Sequence, residues 1–195
     1  MRYLLLLICL AISSTGAYAD RAVFTFKKTV TVAQLNGILG AERNSFLEGV
    51  TRGPDYKLPP TATATNDVDL YTVRYYSTIP ELGDKEIMAT GLLALPRVAD
   101  TSRIPLLAYN HGTVMGKYAV PSFSFSQSNP TGLTQYPQAY EGRYMVALFA
   151  GNGYAVMEPD YFGLGGAAHL NEAYFIKGST AQGIYDLYLD TKQFL

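Results

Sequence analysis

The 195-residue chain carries 15 Lys and Arg against 16 Asp and Glu, a formal net charge of −1. Hydrophobic residues make up 48 %, enough for the core of one domain or a large piece of one. With charge near zero and no basic stripe, nucleic acid is excluded as the main partner.

Residues 1–19 read as a secretory signal. Arg2 gives a short positive start, Tyr3 to Ile12 an apolar run, and Ala17-Tyr18-Ala19 a small-x-small cleavage site. The mature chain then starts at Asp20 and is exported, to a periplasm or the medium. The apolar run falls short of the ~20 residues a membrane span needs, so cleavage leaves no integral membrane segment. The single cysteine, Cys9, lies inside this leader, without the small residues before it that a lipoprotein signal carries. The mature chain therefore has neither thiol nor disulfide. Burial alone must stabilise it, and thiol catalysis and cysteine-based metal sites are excluded.

From Asp20 to Val30 there is some apolar alternation but no clear partner. Thr31 with Gln34 forms a capping-box pattern that opens a short helix through Leu35, Ile38 and Leu39, with Gly40 able to end it. Arg52 to Asn66, rich in Pro, Gly and alternating Thr and Ala, reads as an extended surface connector. Residues 20–66 thus form an amino-terminal helix and connector, and 67–195 a partial α/β domain. Val68 to Tyr76 is rich in strand formers, Pro80-Glu-Leu-Gly-Asp84 marks a turn, and Ile87 to Pro96 is a second strand. Ile104 to Tyr109 is a short apolar run without alternation, which suits a strand buried on both faces. It ends abruptly in Asn110, His111, Gly112 and Thr113.

A long polar segment with Phe123 and Phe125 interleaved follows, from Pro121 to Pro137. A substrate-facing lid and a packed surface loop both fit it. Pro137 to Ala150 reads as a helix, stopped by Gly151-Asn152-Gly153. Tyr154 to Pro159 is a fourth strand, Asp160 to Gly166 a glycine-rich turn, and Ser179 with Gln182 a second capping box opening a last helix. A strand hairpin followed by β-loop-α-β-α predicts an α/β sheet with parallel character. Such sheets place ligand sites beyond the carboxyl ends of their strands, which is where Asn110 to Thr113 falls.

Those residues carry a resemblance. Asn110-His-Gly-Thr113 after a buried strand resembles the oxyanion loop of an α/β-hydrolase. Leu148 to Gly165, with its Pro-Asp-x-x-Gly-x-Gly turn, resembles the next unit of that fold. His169 to Tyr174 and the helix from Ser179 resemble the approach to the nucleophile strand. The whole, from Val68 to Leu195, is most similar to the secretory-lipase and acyl-hydrolase branch. The resemblance implies an α/β-hydrolase sheet (its first four strands and helices A and B) and ester cleavage by a Ser-acid-His triad with no cofactor and no metal. The substrate implied is a small-molecule ester or lipid. It also implies an oxyanion donor in the backbone N–H of Thr113 or a near neighbour. Gly112 would let the backbone approach the substrate, and His111 would support the loop by hydrogen bonds.

The departures from the family pattern are large. No Gly-x-Ser-x-Gly occurs; Gly178-Ser-Thr-Ala-Gln-Gly183 is out of register, and Ser179 more simply caps its helix. The only histidines, His111 and His169, precede the expected elbow, whereas the family order is Ser, acid, His. Asp160 reads as a turn residue bonding nearby backbone N–H groups rather than a triad acid, and Glu158 as a member of a structural ion pair. A metal site joining His169 to Asp160 or Glu158 lacks a spacing signature. Gly163, Gly165 and Gly166 lack the spacing of a phosphate cradle. The expectation is the amino-terminal half of an exported carboxylic-ester hydrolase, inactive alone: a fragment, a truncated product or a decayed enzyme. The alternatives are a non-catalytic exported ligand- or partner-binding domain and complementation by a second chain.

Overall fold

A computed structural model describes residues 22–48, 62–125 and 140–195. The leader, most of the connector and residues 126–139 of the long loop lie outside the described residues. Five strands form one mixed sheet: β1 (Ala22–Val30), β2 (Val68–Ile79), β3 (Lys85–Pro96), β4 (Leu106–Ala108) and β5 (Ala155–Pro159). Their spatial order is β1-β2-β3-β5-β4, antiparallel throughout except for the parallel β4–β5 pair. The helices are α1 (Val32–Glu48), α2 (Tyr140–Phe149) and α3 (Lys177–Phe194). No described helix is long and apolar enough to cross a membrane.

β2 and β3 pair from Val68↔Pro96 to Ile79↔Lys85, closed by a turn in which Gly83 adopts φ 68°. The strand that lacked a visible partner in the sequence, β1, pairs along β2 from Ala22↔Tyr75 to Val30↔Val68. α1 begins with the capping box read from the sequence. The Thr31 N–H donates to Gln34 Oε1 at 2.9 Å, and the Gln34 N–H to Thr31 Oγ1 at 3.3 Å. It does not stop at Gly40 but runs on to Glu48. Leu35, Ile38 and Leu39 are buried against the sheet, and this packing outweighs the weak stop signal of one glycine.

The sheet separates two cores. On one face α1 and α2 pack over Leu70, Leu92 and Val156; on the other α3 packs Leu187 over Val73, Leu93 and Met157. Val156 and Met157 are consecutive in β5 and point to opposite faces, as the pleat requires. β5 is buried along its whole length, as a strand covered on both faces should be. Each fully buried leucine contributes about 1.5–3 kcal/mol of transfer free energy, so the two cores, not any polar network, hold the sheet.

The start of α3 corrects the sequence expectation. The helix begins two residues before Ser179, and its N-cap residue, Ile176, offers no side-chain cap. Ser179 lies buried in the first turn and donates its N–H (3.1 Å) and its Oγ (2.5 Å) to the carboxylate of Glu81, in the β2–β3 turn. Gln182 donates to Asp186 instead of closing a capping box. A carboxylate from a distant turn thus satisfies the helix's orphan donors and opposes its dipole. These hydrogen bonds hold the Glu81 pKa below the usual carboxylate range.

Candidate functional site

Where β4 ends, Tyr109 still donates its N–H to the Met157 carbonyl, at 2.9 Å. Past that bond the chain leaves the sheet, and His111, Gly112 and Thr113 form one wall of a cleft of about 550 Å³. The turn after β5 contributes Tyr161 and Phe162, and the approach to α3 contributes Tyr174 and Phe175. The three residues singled out from the sequence therefore stand together at the carboxyl end of an edge strand.

The loop is held from within and from above. His111 is 8 % exposed; its Nδ1 lies 2.8 Å from the Gly112 carbonyl oxygen, which can only accept, so the proton resides on Nδ1. The Tyr161 ring packs on the imidazole at 4.4 Å between centroids, and its hydroxyl donates to the His111 carbonyl at 3.1 Å. Burial, with the Glu141 carboxylate nearby, pushes the Tyr161 phenol up to about 12. It therefore remains a donor at any ordinary pH. Nε2 of His111 is left buried without a partner among the described residues.

Thr113 is exposed. Its hydroxyl lies 2.9 Å from the Tyr174 hydroxyl, joining the two walls. Its backbone N–H makes no hydrogen bond among the described residues. A free amide beside an apolar cleft can receive a developing oxyanion, a service worth about 3–4 kcal/mol per donor in acyl transfer. Among the described residues a Cβ built on Gly112 would meet only Glu141 Oε2, at 3.9 Å, so they do not demand glycine there.

The second wall was not legible in the sequence. Tyr161 (φ 65°) and Phe175 (φ 58°) both adopt left-handed backbone, and both line the cleft. Each costs about 1–3 kcal/mol, and such strain gathers at ligand sites. Between them Gly163 (φ 85°) lets the turn pass against the backbone of Asn171 and Glu172, where any Cβ would collide.

Beneath the cleft the acids differ from expectation. Asp160 is fully buried and does not bond its own turn. It accepts from the Ser122 N–H (2.9 Å), Ser122 Oγ (2.5 Å) and Thr90 Oγ1 (2.5 Å), tying β5 to β3 and to the loop after β4. Burial raises its pKa, and these hydrogen bonds oppose the rise. Among the described residues Glu158 forms no ion pair. It is fully buried, and neither carboxylate oxygen has a partner among the described residues. Desolvation first, then the charges of Asp160 and Glu141, push it up to about 8, so it is a neutral acid at pH 7. α2 crosses directly over it at Gly142, where a Cβ would lie 2.5 Å from Glu158 Oε2. His169 is exposed and outside the cleft lining, and no group of three or more metal-ligating side chains forms among the described residues. Phe125 is buried in the α1–α2 core, while Phe123 packs edge-on against Tyr118. The packed-loop reading holds for Phe125.

No sequence family and no curated protein matches the chain. Solved structures do. A presumed hydrolase from Legionella pneumophila matches with a TM-score of 0.65 at 21 % identity, over 88 % of this chain and 38 % of that one. The rice cell wall degrading esterase LipA from Xanthomonas oryzae matches with a TM-score of 0.58 at 19 % identity, over 89 % of this chain and 36 % of its own. At such identities the likeness establishes the fold: a mixed sheet flanked by helices, of the α/β-hydrolase kind. The chain spans less than two-fifths of the length of either neighbour.

Proposed function

We propose that this chain is the amino-terminal half of an exported carboxylic-ester hydrolase. It carries the oxyanion side of the site but not the nucleophile, the triad acid or the triad histidine. The observation that supports this reading is the Thr113 N–H, without a hydrogen bond among the described residues and held at the carboxyl end of β4 beside an apolar cleft. The hydrolase fold of the neighbours is consistent with it. Ser179 is a poor nucleophile because it is buried outside the cleft lining and the carboxylate it donates to, Glu81, is a weakened base with a lowered pKa. The test is an esterase assay on the purified chain with p-nitrophenyl butyrate. Turnover at the background rate is expected. Turnover that Ser179→Ala abolishes overturns the reading. The apolar lining of the cleft favours a competing reading, a non-catalytic exported domain that binds an apolar ligand. Tight binding of a medium-chain fatty acid that is unchanged by Gly112→Ala would favour that alternative, since an oxyanion-side ligand must pass Gly112.

A further inference from the structure

Glu158 breaks the pattern of its own face. It stands two residues after Val156 in β5, so the pleat points it to the side on which α1 and α2 pack over Leu92 and Ala94. An apolar side chain would fill that place without desolvating a carboxyl. Glu158 is 0 % exposed, and neither of its oxygens has a hydrogen-bond partner among the described residues.

The elements around it offer no compensation. From β3 the residue paired with it is Leu92, which carries no charge. The end of β5 brings Asp160 and Tyr161, and the start of α2 brings Glu141 and Arg143. Arg143 is buried as well, but the charges that act on Glu158 are those of Asp160 and Glu141, both negative. His111 acts on Asp160 and not on Glu158. From the end of β4 comes Tyr109, whose phenol is pushed up by burial first and then by its hydrogen bond to Glu141, so it remains a donor.

α2 rests on this carboxyl with its backbone. A Cβ at Gly142 would stand 2.5 Å from Glu158 Oε2 and 3.4 Å from Cδ, so helix and carboxyl meet with no room for water between them. A neutral carboxyl tolerates that dry contact. An ionised one needs water or donors, and the helix occupies the space. The neighbour of Gly142 is Glu141, which accepts from the Tyr109 hydroxyl and is the only described group within 4 Å of a Cβ built on Gly112. Tyr109 is itself fixed to the sheet by its N–H on the Met157 carbonyl. The first turn of α2 therefore meets the buried acid on one side and the base of the His111–Thr113 loop on the other.

We propose that the protonated Glu158 carboxyl positions the His111–Thr113 loop by letting the first turn of α2 seat on β5 at Gly142, and that loss of its proton unseats this turn and separates Glu141 from Tyr109 and Gly112. The loop is held in this way whichever ligand the cleft takes. Burial and the two neighbouring carboxylates keep the proton on up to about 8, against an ordinary 4.5. Between those values the seated form binds one proton more than the unseated form. Seating therefore weakens about tenfold for each pH unit as pH rises through the window.

Nuclear magnetic resonance on the full chain tests this between about pH 5 and pH 9. The amide resonances of Tyr109, Gly112 and Thr113 should move together in one step, and the Glu158 side-chain carboxyl carbon should titrate with the same midpoint. The Overhauser contact between Gly112 and the Glu141 side chain should be present below the step and lost above it. Glu158→Gln has the same shape and cannot ionise. It should keep the contact across the whole range, with the three amides at the parent's low-pH positions. A step that survives in Glu158→Gln belongs to another group, His111 or Asp160, and overturns the proposal. If that variant does not fold, the parent decides alone. Loop amides that stay still while the Glu158 carboxyl titrates overturn the proposal. So does a Gly112–Glu141 contact that persists above the step, because the loop then feels the charge without moving.

Discussion

Two glycines, Gly112 in the lining of the cleft and Gly163 in the turn that carries its facing wall, separate fold from function at the level of single residues. Gly163 holds φ 85° against the backbone of Asn171 and Glu172, whereas Gly112 has no close neighbour and no left-handed backbone. Gly163→Ala should cost roughly 2 kcal/mol or more in urea unfolding, combining strain with collision. Gly112→Ala should leave stability unchanged or raise it by about 0.4–1 kcal/mol through the unfolded state. A large loss of stability in Gly112→Ala would show that the loop, not a ligand, needs that glycine. Glu158 makes a second prediction, with its sign set by the raised pKa. The unfolded chain releases this proton near the ordinary glutamate value of 4.5, but the native state holds it to about 8. The stability that this group contributes is therefore fully present below pH 4.5, falls as pH rises across the window from about 4.5 to 8, and receives no further loss above it. Asp160, raised in the same direction, adds a slope of the same sign. Glu158→Gln cannot ionise, so it should match the parent near pH 4, exceed it by on the order of a few kcal/mol at pH 8, and lack the slope that Glu158 contributes between them. Equal pH profiles for the two proteins would mean that Glu158 has a partner or reaches water.

At the level of elements, α3 is held by a residue 98 positions away in sequence, Glu81. Ser179→Ala removes one of its two bonds to that carboxylate and should lower Tm by a few degrees, while Gln182→Ala, away from the cap, should not. The opposite ranking would restore the capping box read from the sequence. The comparison shows what local pattern can and cannot carry. Thr31 and Gln34 formed their box because the one carboxylate at that helix start among the described residues, Asp67, takes the Val32 N–H and leaves theirs to each other. Ser179 and Gln182 had the same spacing, but Glu81 and Asp186 offered charged acceptors, and a charge-assisted bond wins over a neutral one. The β2–β3 hairpin, β5 and the helix stop at Gly153 were legible because alternation, an apolar run and a φ of 96° are written in adjacent residues. The pairing of β1 was not, since its partner lies beyond a long connector. The His111–Thr113 wall of the cleft was legible as the abrupt end of an apolar run. The facing wall was not, because left-handed Tyr161 and Phe175 go against their residue types and are imposed by tertiary packing.

At the scale of the whole molecule, the sheet grades from a paired, doubly covered centre to a thin edge. β2 and β3 share twelve residues each in one continuous register, and Leu70, Val73, Leu93 and Ala94 in them are fully buried. β5 is covered on both faces, whereas β4 offers three residues, none buried, and pairs on one side only. Local opening free energy follows the number of buried contacts and paired backbone groups, so it should fall from β2–β3 through β5 to β4. Native-state hydrogen exchange on the full chain should find the slowest amides in β2 and β3. The Leu107 and Tyr109 amides, bonded to β5, should exchange faster than those of β5 itself. The outward Leu106 and Ala108 amides should be fastest, close to unprotected. The consequence for the site is direct: the His111–Thr113 loop hangs from the strand expected to open most readily, so its order depends on the contacts of Tyr161 and Tyr174. Protection at Leu106 equal to that at Leu93, in the chain alone and at low concentration, would mean that the edge is already covered and that the gradient is absent.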